Sequence, residues 1–169
     1  GRYAAAPSTT EASASPMPAK RMHIDHREFV LDLDPSWTRL DGSDPEQFQF
    51  QSKPLHSTLT ISIMMVTIPL AKMRQAGEKL LELRRQGEVA AGASRAVTFG
   101  DQWVTPKPDG EVVEVAYAGY DNQGRAFRFV GFVTTQKVVS FYCETASTDN
   151  EEAKRIFDET FRGFRFYVP

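Results

Sequence analysis

The densest group of side chains that could bind a metal lies near the amino terminus, in His23, Asp25, His26 and Glu28. Imidazole and carboxylate groups are common zinc ligands, and His23 and His26 would converge if the chain turned there. In an extended strand, however, residues three apart point to opposite faces. A polar lead-in to a strand is therefore the favoured interpretation, and we expect neither a metal site nor a cofactor.

Catalysis by a nucleophile has little support in the sequence. The single cysteine, Cys143, stands beside aromatic residues in a strand-like segment, which offers neither a base nor the positive surroundings that activate a thiolate. A Gly-x-Ser-x-Gly elbow, a Walker sequence and a Gly-x-Gly-x-x-Gly fingerprint are all absent. We expect Cys143 to be a core residue and assign no catalytic residue. A hydrolase site assembled in space, for example from His56 with Glu114 or Cys143, is the alternative.

Aromatic side chains are the more informative group. Such residues are enriched among the anchors of protein interfaces, although many of them pack in cores. The predicted partner-binding residues are Trp37, Trp103, Tyr120, Phe132 and Tyr142. Plain core packing is the alternative for each of them.

The length and charge of the chain restrict the classes of function. Its 169 residues suffice for one domain whose core needs no disulfide or metal. The 20 basic and 22 acidic side chains leave a formal net charge of −2, whereas nucleic-acid binders normally carry a basic excess. The longest apolar run, near residues 61–70, is shorter than a bilayer span. We therefore expect no nucleic-acid partner and no integral membrane span.

Residues 1–27 are predicted to be a flexible tail, and residues 28–169 a single α+β domain. Ala, Ser, Thr and Pro dominate positions 4–18, which bury too little apolar surface to offset the entropy lost on ordering. Two origins are open for this stretch. It is either the spacer that follows a removed signal peptide or a lipidated cysteine in an exported protein, or a set of residues added by cloning.

Hydrophobic periodicity predicts the elements of the domain, since alternation indicates strands and a spacing of three and four indicates helices. Strands are expected at 28–33, 37–40, 47–51, 57–67, 96–105, 111–120, 125–135 and 137–145, and helices at 70–86 and 150–161. Gly87 and Gly92 offer stops for the first helix. A capping box of Thr148 and Glu151 introduces the second, whose buried stripe runs to Phe164.

This order of elements predicts an α+β fold. We expect an antiparallel sheet of about six to seven strands. A long helix comes after the N-terminal strands, and a C-terminal helix packs on the sheet. Both faces of the later strands carry apolar residues. The two helices are therefore expected to cover the sheet, from opposite sides.

Short motifs accompany this order, namely Asp34-Pro35-Ser36-Trp37, Pro69-Leu70, Tyr117-Ala118-Gly119-Tyr120 and Phe161-Arg162-Gly163-Phe164. Over roughly residues 29–166, the order and the motifs together resemble the PsbP-like superfamily, which includes bacterial DcrB-like proteins. Members of that superfamily include photosystem assembly factors, envelope lipoproteins and chaperones of type VI secretion effectors. What the resemblance implies is a binding scaffold without catalytic residues.

The residues and the resemblance together predict a non-catalytic binding or accessory protein that holds a protein or peptide partner on its sheet face. We expect it in the periplasm or associated with the bacterial envelope, linked to a secretion system as an immunity protein or a chaperone. A cytoplasmic location is the alternative. The alternative functions are a small-molecule carrier, which needs an apolar cavity, and the hydrolase described above. The oligomeric state is left open.

Overall fold

Eleven strands and two α-helices make up the part of the chain that the computed structural model describes, residues 2–4, 21–91 and 94–168. The strands are β1 (Arg2–Ala4), β2 (Met22–Asp25), β3 (Phe29–Leu33), β4 (Trp37–Leu40), β5 (Gln47–Ser52), β6 (Ser57–Met65), β7 (Val97–Pro106), β8 (Val113–Asp121), β9 (Ala126–Val133), β10 (Lys137–Thr145) and β11 (Phe164–Tyr167). The helices are α1 (Met73–Ala90) and α2 (Asn150–Arg162). A 3₁₀ turn, Leu70–Lys72, leads directly into α1.

Seven of these strands form the larger sheet, in the order β4-β5-β6-β10-β9-β8-β7. Every neighbouring pair is antiparallel, and the central ladder joins β6 to β10 with Ile61 opposite Phe141. This confirms the predicted α+β architecture, with its long helix after the N-terminal strands and its C-terminal helix.

A second sheet, in the order β1-β11-β3-β2, is absent from the sequence-based prediction. Its strands come from the two ends of the chain, which no local pattern connects. In it, Leu31 of β3 lies opposite both Phe164 of β11 and Ile24 of β2. Strands β1 and β2 fall inside the range 1–27 that composition assigns to a tail, and residues 5–20 of that range lie outside the described residues.

Helix α1 is longer than its predicted range of 70–86, since it continues through Gly87 to Ala90. Its core-facing stripe contains Met73, Gly77, Leu80 and Leu81. Gly77 allows close approach to the sheet, because a Cβ there would lie 2.9 Å from a methyl group of Val113. A larger side chain at this position would push the helix away from β8.

The N-cap of α2 is Asp149, whose carboxylate accepts the backbone N–H groups of Glu151 and Glu152 at 3.0 and 3.3 Å. The predicted capping box that begins at Thr148 is therefore wrong, because a carboxylate one residue closer to the first turn takes that role. The helix ends before Phe164, which lies in β11 rather than on the predicted helical stripe.

Two apolar cores lie on opposite faces of the larger sheet, as the two-sided pattern predicts. Between the two sheets and α2, the fully buried side chains include Phe29, Leu31, Phe50, Leu59, Ile61, Phe132, Phe141, Phe164 and Phe166. Between α1 and the larger sheet lie Met73, Val113, Val115, Tyr117, Phe127, Phe129, Val133 and Val138. Strand β9 contributes to both cores, so it is buried on both faces.

Gly163 is expected to be intolerant of a side chain. Its carbonyl oxygen accepts the Asp32 N–H at 2.8 Å, and a Cβ on Gly163 would overlap the Asp32 carbonyl oxygen. Gly163→Ala should therefore lower the free energy of unfolding by about 2 kcal/mol or more in a urea titration. Gly42→Ala is the control, since a Cβ there meets nothing within 4 Å, and should change it by less than about 0.5 kcal/mol. Equal effects of the two substitutions would contradict this packing.

An ion pair joins the two sheets at one end. Lys137, almost fully buried at the start of β10, donates to the carboxylate of Glu28 in the bend before β3. This hydrogen bond from Lys137 holds the pKa of Glu28 below its ordinary value of 4.5. The folded state thus binds the proton more weakly than the unfolded state does. Ionised Glu28 therefore stabilises the fold above about pH 4.5, and this contribution is lost as the pH falls through the lowered pKa.

The pH dependence of unfolding tests this pair. At pH 7 the free energy of unfolding should be larger for the wild type than for Glu28→Gln, and the difference should shrink as the pH is lowered from about 5 to about 3. Lys137→Met removes the other partner of the pair. Its free energy of unfolding should also be smaller than that of the wild type at pH 7, and this difference should also shrink as the pH is lowered. A difference that stays constant or grows with acid would be inconsistent with the pair.

Candidate functional site

Two of the five predicted partner-binding residues lie in the core. Trp37 on β4 is 3% exposed, and Phe132 on β9 is fully buried with its ring centroid 4.6 Å from that of Phe166. Both side chains belong to the core between the two sheets and α2. Their environment is core packing, which is the alternative that the sequence left open.

Trp103 and Tyr120 are exposed on one face of the larger sheet, by 42% and 46% respectively. Trp103 of β7 lies opposite Ala116 of β8, and Tyr120 follows four residues later on the same face of β8. Their positions are separated by about 14 Å along the strand direction, with Ala118 between them. We call the surface formed by Trp103, Ala118 and Tyr120 the β7–β8 ledge, since Ala116 itself is fully buried.

The covering layer on this face stops at the ledge. Helix α2 packs against β9 and β11, and the second sheet continues the cover toward β4. At the boundary, Arg128 of β9 binds Asp158 of α2 at 2.7 Å and lies over the Phe157 ring. Helix α1 lies on the opposite face of β7, β8 and β9. The ledge thus has the half-buried Ala118 between two exposed aromatic rings, with α2 along one side.

A hydrogen bond fixes the indole of Trp103. Its Nε1 donates to Glu114 Oε2 at 2.9 Å, and the other oxygen of Glu114 lies 3.4 Å from the Lys107 ammonium. A side chain that is oriented before binding loses less entropy when a partner buries it. The ledge therefore presents at least one preorganised aromatic anchor.

Strand β7 is also an edge of the larger sheet. It is ten residues long, and the outward-facing backbone groups of such an edge can pair with a strand of another chain. A bulge between Phe99 and Gln102 interrupts its register, and Pro106 ends it. Between the bulge and Pro106, residues 102–105 are in regular register with β8, and this stretch includes Trp103.

Tyr142, the fifth predicted residue, faces α1 on the other side of the sheet. Its hydroxyl lies 2.8 Å from Glu88 Oε1 and 2.9 Å from Glu144 Oε1, and it can donate its single proton to only one of them at a time. Burial, together with the carboxylates of Glu144 and Glu88, raises the pKa of the Tyr142 phenol. This residue is part of a polar network and not of the ledge.

Glu88 is the centre of that network. Its carboxylate is buried and accepts Tyr117 OH at 2.6 Å and Arg95 Nη2 at 2.7 Å. Arg95 in turn donates to Asp121 at 2.7 Å. Helical spacing could have located this site, because Glu88 lies two turns after Leu81 on the core-facing stripe.

The histidine and cysteine candidates lie in separate places. His26 Nδ1 accepts the Glu28 N–H at 3.0 Å and its ring stacks on Phe29, whereas His23 is exposed on β2. Cys143 is fully buried in the core, and this burial raises the pKa of its thiol. Within the described residues, no three His, Cys, Asp or Glu side chains are grouped as ligands of one metal ion.

Of the residues suggested for a hydrolase site, His56 and Glu114 are not brought together. His56 occupies the turn between β5 and β6, with a positive φ of 48°. This turn lies beside the end of β10, where the Ala146 N–H donates to the His56 carbonyl oxygen at 2.9 Å. Glu114 lies toward the opposite end of the strands, opposite Phe132, which itself pairs with Val139 at the start of β10.

The arrangement of elements matches that of a solved structure. The solution structure of cyanobacterial PsbP (CyanoP) from Synechocystis sp. PCC 6803 superimposes with a TM-score of 0.64, over 95% of this chain and 100% of that chain, at 15% sequence identity. The chain has a PsbP-like fold. The resemblance inferred from the order of elements is thereby confirmed for the fold.

No protein-family model matches the sequence, and no curated protein matches it either. Neither helix in the described part of the chain has the length and apolar character needed to cross a bilayer.

Glu88 is predicted to be essential for the packing of α1. Glu88→Leu leaves Arg95, the buried Tyr117 hydroxyl and the half-buried Tyr142 hydroxyl without their shared acceptor, and loss of one member of a buried ion pair costs about 3–5 kcal/mol. Chemical denaturation should show this loss. Glu82→Leu on the exposed side of α1 is the control and should change the free energy of unfolding by less than about 0.5 kcal/mol. A loss below about 1 kcal/mol for Glu88→Leu would argue against the network.

Proposed function

We propose that the protein is a non-catalytic binding or accessory protein that holds a protein partner on the β7–β8 ledge. The observation that carries the proposal is the exposure of Trp103 and Tyr120 on a face that α2 and the second sheet leave uncovered. Tryptophan and tyrosine are strongly enriched among the residues that dominate binding energy at protein interfaces. Two such rings, with Ala118 between them, offer a partner apolar area with little competing side-chain motion.

The charges beside the ledge support recognition by apolar contact. Glu114 pairs with Lys107, and Arg128 pairs with Asp158, so each flanking charge has a neighbour of opposite sign. A partner would bury mainly aromatic and alanine surface, and it could add a strand beside β7. Binding is then expected to persist at high ionic strength, at which complexes steered by charge weaken.

We further propose that this binding takes place in the periplasm or at the bacterial envelope, in an immunity protein or a chaperone linked to a secretion system. The Ala-, Ser- and Pro-rich residues that precede β2 support this location, since such composition is typical of the spacers of exported proteins. A cytoplasmic location is the alternative.

Capture from cells of the native host tests the proposed surface. The baits are the wild type, the ledge variant Trp103→Ala/Tyr120→Ala, and a control, Met64→Ala/Leu70→Ala, whose exposed apolar side chains lie away from the ledge. With the wild type and the control we expect one protein partner at stoichiometric yield. The ledge variant should recover at least about tenfold less of it, as measured by quantitative mass spectrometry.

The three baits should have the same far-UV circular dichroism and similar melting temperatures, because all four substituted side chains are exposed. Undiminished recovery of the partner by the ledge variant would contradict the proposed surface. Recovery of no partner by the wild type would contradict the binding function itself.

A further inference from the structure

A pocket of about 290 Å³ opens between the C-terminal half of α1 and strand β10, on the sheet face opposite the β7–β8 ledge. Its walls include Leu83, Arg84, Gly87, Glu88, Tyr142 and Glu144. The volume corresponds to about ten water molecules, which is enough for a small organic molecule. The proposed partner-binding function makes no use of this pocket.

The two carboxylates of the pocket already have donors. Glu88 receives hydrogen bonds from Tyr117 and Arg95, and Glu144 receives one from Arg125 at 2.7 Å. The hydroxyl of Tyr142 lies between the two acids. Neither carboxylate therefore depends on a ligand for compensation of its charge.

Arg84 differs, because it is a cation without a carboxylate partner. In the described residues, no Asp or Glu oxygen lies within 4.0 Å of its guanidinium nitrogens, and its buried Nε has no hydrogen-bond acceptor. Its guanidinium carbon lies 4.6 Å from the centroid of the Phe129 ring and 5.2 Å from that of the Tyr142 ring. Contact with two aromatic faces holds the cation at the pocket without neutralising it. The planar fork of donors in a guanidinium is complementary to a carboxylate.

Gly87 keeps the pocket open beside Arg84. It lies inside α1, where glycine is less favourable than alanine for helix stability. A Cβ at this position would meet nothing within 4 Å. Neither close packing nor helix propensity therefore explains this glycine, whereas the space that it leaves is part of the pocket.

From these observations we propose that the pocket binds a small carboxylate with a short apolar tail. The carboxylate accepts hydrogen bonds from the guanidinium of Arg84, and the tail lies against Leu83, the backbone of Gly87 and the ring of Tyr142. A free carboxylic acid and the C terminus of a peptide present the same chemistry, so either can be the source of this ligand.

Calorimetric titration of the full chain with 4-methylpentanoate and with its uncharged analogue, 4-methylpentanamide, tests the proposal. We expect saturable binding of the acid and at least about tenfold weaker binding of the amide, because the amide cannot form the charged, two-pronged pair with Arg84. A second arm uses a tetrapeptide that ends in leucine, with a free or an amidated terminus. Tighter binding of the free-ended peptide than of 4-methylpentanoate identifies a peptide terminus as the source, and the reverse identifies a free acid.

Two variants separate recognition from folding. Arg84→Gln should weaken binding of the acid at least about tenfold. Gly87→Leu should abolish binding by filling the pocket while it raises the melting temperature, since leucine is the better helix former. Arg74→Gln, at an exposed position of α1, is the control for unspecific charge effects and should bind like the wild type. Lack of saturable binding to the wild type, equal affinity for acid and amide, or unchanged binding by either pocket variant would overturn the proposal.

Discussion

Burial of the central strands on both faces is the constraint on which the rest of the structure depends. Strand β9 directs Phe127 and Phe129 toward α1 and directs Val130 and Phe132 toward α2, so water must be excluded from both sides. Neither cover is as wide as seven strands. Helix α1 lies over β7, β8 and β9, whereas α2 and the second sheet cover the other face from β4 to β9. Because the two covers are offset, each face of the larger sheet is open at one edge. The α1 face is open at β4, β5 and β6, and the other face is open at β7 and β8.

The two open areas differ in chemistry, and this difference decides which of them is the functional candidate. On the α1 face, β5 and β6 present polar side chains such as Gln49 and Thr60, which a solvated sheet face is expected to carry, and one exposed apolar side chain, Met64, at the end of β6. On the other face, β7 and β8 present Trp103 and Tyr120 beyond the end of the cover. Large exposed aromatic rings are typical of binding surfaces rather than of solvated ones. The α1 face contributes in a different way, through the Glu88 network and the pocket beside it.

Much of the fold can be predicted from the sequence because its signals are local. The alternation in β6 and the helical stripe from Met73 to Leu81 each specify an element without reference to distant residues. What sequence reasoning misses depends on partners that lie far apart in the chain. The second sheet pairs β3 with β11, and the burial of Glu88 requires Tyr117 and Arg95 to supply donors. The exposure of a side chain also depends on residues that are distant in sequence. Both tryptophans lie in strands, yet Trp37 is buried under the second sheet, whereas Trp103 is exposed beyond the covering layer.

The central claim is that the β7–β8 ledge is the surface on which a partner is held. Hydrogen–deuterium exchange of the backbone amides, compared between the protein alone and its purified complex with the captured partner, tests this most directly. The account predicts slower exchange in the complex across residues 97–106 and 113–121, with no change in β5 and β6. Protection confined to β4, β5 and β6 or to α1, with β7 and β8 unchanged, would contradict it.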